Sequence, residues 1–329
     1  MSGRTVEMTA QDPSTFILTP VLWHYLSLSQ EDTSVTKIPP YMIGEIRSSI
    51  LGRLFPDLAY KPTAFTDFGG PSPISVEEVL KENPDAVLVW NYMSLGLKEV
   101  NYHGLLEITG DGGDKRKLFQ LLSGLTGEDA RNSELWKRFE TERDAIFMER
   151  GDCSSPTRVA ILGGSGYNLW GGKSQSYLFE NLDKLCAQNA AKDGYGASGV
   201  LNLEMLLALD PDVLLLNPYV LAQTNMVVSD IYADPRLSGL KAVRDKRVYH
   251  MPLGASRLEG PVELPLSLLW LSRILHPEWE GALNLREKIK ETYLSVYGYE
   301  MTDDEIDHFL RLEENRGSAI YKQFERVPL

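Results

Sequence analysis

Two stretches of the chain follow one pattern at a constant separation of 127 residues. S-V-E-E-V-L-K-E-N-P-D-A-V-L-V-W-N (75–91) aligns without a gap on N-L-E-M-L-L-A-L-D-P-D-V-L-L-L-N-P (202–218). Glu77 falls on Glu204, Leu80 on Leu207, Pro84-Asp85 on Pro211-Asp212 and Leu88 on Leu215. Each stretch opens as a short helix. Ser75 is placed to cap the first, with Glu78 completing a capping box, and Asn202 to cap the second. Each helix must stop ahead of its proline, because the residue before proline is pushed out of helical geometry. An aspartate then makes the turn. The apolar run that comes next, A-V-L-V-W or V-L-L-L, suits a strand covered on both faces in a parallel sheet.

The flanking sequence repeats the plan. S-T-F-I-L-T-P (14–20) reads as a strand ending in a proline turn, followed by the helical V-L-W-H-Y-L-S-L. R-V-A-I-L-G-G-S-G (158–166) reads as a strand ending in a glycine loop, followed by a helix over 176–185. Alternating strands and helices in both halves predict an α/β fold of two Rossmann-like lobes with mainly parallel sheets. Between them, S-E-L-W-K-R-F-E-T-E-R-D-A-I-F-M-E-R-G (133–151) carries apolar residues at helical spacing, with Gly151 placed to end the helix. The expected division is an N-terminal lobe over 1–130, a linking helix over 131–151 and a C-terminal lobe over 152–329. A helix is a stiff connector, so small hinge motions are expected.

A length of 329 residues suits two domains, and 43% hydrophobic with 24% charged residues is ordinary globular composition. The net charge of −13 argues against a nucleic-acid partner, which needs a basic surface. Cys153 and Cys186 lack metal-type spacing and give no redox address. No apolar run reaches the roughly 18–20 residues of a membrane span, and the first residues hold no apolar signal core. Both a cytoplasmic protein and a mature exported one fit that.

Two α/β lobes joined by one long helix resemble the class III substrate-binding proteins of ABC importers, the cobalamin and iron–siderophore type. The twin segments carry the resemblance, together with I-Y-A-D-P-R-L-S-G-L-K-A-V-R-D-K-R-V-Y-H-M-P (231–252), E-L-P-L-S-L-L-W-L-S-R-I-L-H-P-E (263–278) and Y-G-Y-E-M-T-D-D-E-I-D-H-F-L (297–310). The resemblance implies a periplasmic or extracellular membrane-anchored protein without catalysis of its own. Its partners would be a permease dimer and a small-molecule solute held between the lobes. It implies a metal chelate as that solute, iron–siderophore first, then cobalamin or haem, with an oxyanion also open. It further implies docking on permease arginines through Glu77 and Glu204. Acidic residues in a first turn also offset the helix dipole, which is the plainer account of both.

In open α/β sheets ligands bind beyond the carboxyl ends of the strands. The loops there are rich in Trp, Tyr and Gly, which suits a large, flat or chelated ligand. Trp23, His24, Tyr92, Tyr167, Trp170 and Tyr219 are the candidate contacts, and Arg257 the candidate partner for an anionic group. Lobe packing, or pairing of Arg257 with Glu259, is the competing reading. His250 also lies near a strand end; no two histidines have metal-binding helical spacing, and no cofactor is indicated. Y-N-L-W-G-G-K-S (167–174) misses the phosphate-loop pattern because Tyr167 stands at its first glycine. The alternative from another class is a two-lobed α/β enzyme acting on a small molecule in the cleft.

Overall fold

Both duplicated stretches fold as helix, turn and strand, and each strand belongs to its own sheet. The computed structural model describes residues 14–17, 21–30, 35–38, 40–63, 74–108, 115–149, 151, 153–162, 169–170, 177–191, 203–217, 227–279, 281 and 283–326. Two compact units emerge, Met1–Trp136 and Lys137–Leu329. The first contains β1 (Thr15–Ile17), α1 (Leu22–Ser29), β2 (Val35–Lys37), α2 (Pro40–Ser48), α3 (Val76–Glu82), β3 (Ala86–Trp90), β4 (Leu105–Ile108) and α4 (Lys115–Thr126). The helix α5 (Asp129–Met148) contains the division between the units. Then come β5 (Thr157–Leu162), β6 (Leu169–Trp170), β7 (Ala187–Asn189), α6 (Leu203–Leu209), β8 (Val213–Leu216), α7 (Val228–Ala233), β9 (Val248–His250), α8 (Gly260–Leu275), α9 (Leu285–Tyr297) and α10 (Asp303–Phe309).

The first sheet has the order β2-β1-β3-β4, all parallel. In the second, β7-β5-β8-β9 is the same order and also parallel, while β6 returns antiparallel along the edge of β5 that β7 shares. Register is duplicated too. Ala86 lies opposite Thr15 as Val213 lies opposite Val159, and Val87 opposite Leu105 as Leu214 opposite Val248.

Local chemistry explains why this block is written twice. Asn83 and Asp210 end their helices in left-handed geometry (φ 45 and 39). Their N–H groups donate to Val79 and Leu206 carbonyls at 2.8 and 3.2 Å. Asparagine and aspartate tolerate this conformation better than most residues. Proline then forbids further helix. The next residue grips the neighbouring strand: the Asp85 carboxylate accepts the Ser14 N–H at 2.9 Å, and that of Asp212 accepts the Arg158 N–H at 2.8 Å. Correspondence continues past the twins. Single-turn helices at Leu95–Glu99 and Lys241–Arg244 precede left-handed Asn101 (φ 52) and Lys246 (φ 56), and the chain then enters β4 or β9.

Every residue of β8, and Ala86 through Val89 of β3, is fully buried, as expected of strands covered on both faces. Val79, Val87, Val89 and Leu97 form one core cluster, and Leu206, Leu214, Leu216 and Ala242 hold the matching places in the other.

Three local expectations are revised. Ser75 does cap α3, but the Glu78 carboxylate pairs with Lys37 of β2 at 2.5 Å, a stronger partner than a backbone N–H. The helix expected over 176–185 is a single turn, Tyr177–Glu180, followed by a separate 3-10 turn, Asp183–Leu185. The connecting helix begins earlier, at Asp129, and ends at Met148, ahead of Gly151. Gly127 (φ 72) stops α4 there, and the Ser123 hydroxyl donates to the Asp129 carboxylate at 2.8 Å. Asn202, the expected cap of α6, lies outside the described residues.

Cys153 and Cys186, which spacing alone left without a role, are joined in a disulfide across 33 residues. The bond ties the chain just before β5 to the chain just before β7. Closing a loop of that length restricts the unfolded chain by roughly 3–4 kcal/mol. Reduction should lower the guanidinium midpoint of the second unit accordingly, and a Cys153→Ser/Cys186→Ser variant should match the reduced protein.

The aspartate clamps give a second prediction. Burial pushes the Asp212 carboxyl up, but Lys241 and the Arg158 N–H outweigh it and hold it below the usual range. Its stabilising effect is therefore full above the unfolded value and is lost as pH falls through the lower folded value. Asp212→Asn should destabilise by about 2 kcal/mol at neutral pH, with the difference from the parent shrinking below about pH 4. Asp85→Ala, at a more exposed turn, should cost about 1 kcal/mol. Denaturant titrations at several pH values test both.

Candidate functional site

A strand order of 2-1-3-4 puts the topological switch point between β1 and β3 in the first sheet and between β5 and β8 in the second. In open α/β sheets the connections at such a point diverge, and the crevice so made is where ligands bind. Tyr92 stands in the 3-10 turn Asn91–Met93, which leaves β3 directly. The offset of 127 residues that relates the twins carries Tyr92 onto Tyr219, just beyond β8. The sequence thus sets a tyrosine just after β3 and again after β8, a correspondence visible in the alignment of the twins once it is extended by one residue. Trp170 ends β6, paired opposite Ile161 of β5. Tyr167 and Tyr219 lie outside the described residues. The antiparallel return of β6 also departs from the strand-to-helix step that a phosphate loop needs.

Trp23 and His24 are buried, at 1% and 4% exposure. They lie on α1, which is buried from Leu22 through Leu28 and packs against α4. The His24 ring stands 5.2 Å from that of Phe119 on α4. Both side chains therefore pack within the first unit. His250 is likewise buried in β9, and its backbone is bracketed by the Asn315 side chain, which accepts from its N–H at 2.7 Å and donates to its carbonyl at 3.0 Å. His276 stacks on Trp279 with ring centroids 4.0 Å apart. Among the described residues, no three His, Cys, Asp or Glu side chains gather as a metal site.

Arg257 is half-buried on the turn between β9 and α8. That turn is unusual in its backbone: Arg257 (φ 58), Leu258 (φ 57) and Gly260 (φ 74) are all left-handed. Side-chain-bearing residues are strained there. The compensating group is Glu263, fully buried in the first turn of α8. Its carboxylate accepts from the N–H groups of Ala255, Ser256 and Leu258 at 2.7, 2.8 and 3.1 Å and from the Ser256 hydroxyl at 2.8 Å. The Tyr293 hydroxyl is a fifth donor. Burial, reinforced by the Glu263 charge, pushes the Tyr293 phenol well above its ordinary range, so it stays a donor. A side chain on Gly254 would collide with the Glu263 carboxylate, so that position requires glycine. Sequence reasoning picked out the loop and Arg257 but not Glu263, which reads as one more acidic residue in a first turn.

Glu77 and Glu204 are exposed, each in the first turn of its helix, α3 or α6. Neither makes an ion pair with another described residue, whereas the adjacent Glu78 is taken by Lys37. The duplicated carboxylates are thus both available to a partner.

Residues 53–253 match the family described as periplasmic binding protein. The chain belongs to that family. Among its relatives, the molybdate-binding protein MolA of Haemophilus influenzae is 24% identical over 252 residues, spanning 68% of this chain and 70% of that protein. A periplasmic solute binding protein from Veillonella parvula superposes with a TM-score of 0.79 and 25% identity, over 96% of this chain and 97% of that one. MolA bound to molybdate gives a TM-score of 0.72 at 17% identity, over 91% and 97% of the two chains, which shows likeness of fold. The chain is a class III periplasmic substrate-binding protein of the ABC importer kind. Family and neighbours alike are binding proteins serving transporters. Among the described residues, no helix is long and apolar enough to cross a membrane.

Glu263→Ala would orphan five donors in a dry site and should destabilise the second unit by roughly 3–5 kcal/mol. Gly254→Ala should also destabilise it. Thermal melts followed by circular dichroism measure both.

Proposed function

We propose that the chain captures an anionic small molecule between the loops at the carboxyl ends of its two sheets and delivers it to a two-fold permease. Tyr92, Tyr167, Trp170, Tyr219 and Arg257 are the proposed contacts, with Trp23 and His24 left to packing against α4. Glu77 and Glu204 are the proposed docking groups. The observation that carries the reading is the duplicated switch point, together with sequences rich in aromatic residues and glycine that follow the strands there.

The proposed solute is a metal chelate, an iron–siderophore first, because aromatic faces and one guanidinium suit a large, flat, negatively charged complex. A bare oxyanion is the second reading, favoured by the match to MolA, which binds molybdate. Arg257 serves either, by charge-assisted hydrogen bonds. No chemistry on the solute is involved; release is driven by the permease.

Native mass spectrometry of the purified protein with ferric siderophores, haem, cobalamin and molybdate tests the reading. One tight, unaltered complex is expected, and turnover of a bound compound would favour the enzyme alternative instead. Arg257→Ala should weaken that complex about 10- to 100-fold. Glu77→Gln/Glu204→Gln should leave capture intact and abolish uptake.

A further inference from the structure

The twin helices share more than their acidic residue. Leu80 on α3 and Leu207 on α6 are related by the same offset of 127, and both are exposed, at 49% and 37%. A lone exposed leucine needs no explanation. Two at one duplicated position are different, because the neighbouring duplicated apolar positions are buried: Val79 at 3% and Leu206 at 0%. Each leucine lies three residues after the exposed glutamate, so on a helix the two share a face. The carboxylate and the leucine therefore form one small composite patch, built once in each unit. Lys81 and Ala208, next along the chain, are also exposed.

We propose that Leu80 and Leu207 are docking residues, each seating in an apolar cup beside the arginine that pairs with Glu77 or Glu204, on one and the other subunit of the two-fold permease. This rests on the docking reading above and extends it from charge to shape. The partner chemistry is set by the patch. A carboxylate calls for a guanidinium, and a leucine one turn along calls for an apolar surface beside it. The leucine excludes water from the ion pair as the surfaces meet, which lowers the local dielectric and strengthens the pair. Duplication argues for a partner with two like receptors: a single asymmetric partner gives no reason for the same pair of residues to stay exposed in both units.

The experiment is docking of the full-length protein to its ABC transporter in nanodiscs, measured by biolayer interferometry at several salt concentrations. Four proteins are compared: the parent, Leu80→Ala, Leu207→Ala and the double variant. Glu77→Gln/Glu204→Gln serves as reference, and melting temperatures near the parent value certify folding. Each single leucine variant should weaken docking about fivefold and the double about 20-fold. The two singles should be alike, and the salt dependence should keep the parent slope. The glutamate variant should instead flatten that slope. Parent-like docking by the double leucine variant beside weakened docking by the glutamate variant overturns this inference and leaves the docking reading standing. Parent-like docking by both variants overturns the two together.

Discussion

A carboxylate gripping the backbone of a distant strand is the contact on which each sheet depends. Parallel neighbours have no hairpin to set their register, and their pairing must be fixed across long stretches of chain. Asp85 reaches Ser14 across 71 residues, and Asp212 reaches Arg158 across 54. Each does so from a turn already forced by a left-handed residue and a proline. Helix end, turn and strand start are thereby defined within three residues, and the strand enters the sheet in one register. Once β3 and β8 are so placed beside β1 and β5, the positions of the switch points are set.

The two units share this scaffold and differ in what is mounted on it. An exposed carboxylate and an exposed leucine recur at α3 and α6, and Tyr92 corresponds in sequence to Tyr219. The turn after β9 is built from other means. Its left-handed run would be costly alone, and a dry carboxylate with five donors makes it the low-energy arrangement. Arg257 thus stands on a firmly held turn, which would lower the ordering cost of the anion contact proposed for it. Glu149 and Arg273, paired at 2.8 Å, similarly fasten the end of α5 to α8.

Much of this was legible from residue order. The twin alignment revealed two helix–turn–strand units, their burial on both faces, and the duplicated acidic positions, because those properties are local: a cap, a proline, an apolar run. The helix over 176–185 was misread because its apolar spacing is helical while the chain breaks near Asn181, and Cys186 is left-handed (φ 50) and disulfide-bonded. Trp23 and His24 come just after a strand end, as ligand-binding residues often do, yet α1 is buried from Leu22 through Leu28. Sequence position identifies the end of a strand but not the neighbours that cover the helix beyond it.

By itself, residue order determined the α/β class, the duplication, the long connecting helix and the family resemblance, all of which rest on periodicity and turn chemistry within a few residues. Tertiary structure alone decided the disulfide, the strand order, the Glu78–Lys37 pair and the buried carboxylate beneath the Arg257 turn. Each of these joins groups separated along the chain or sets them by burial, and neither partner's local sequence encodes the distance that folding closes between them.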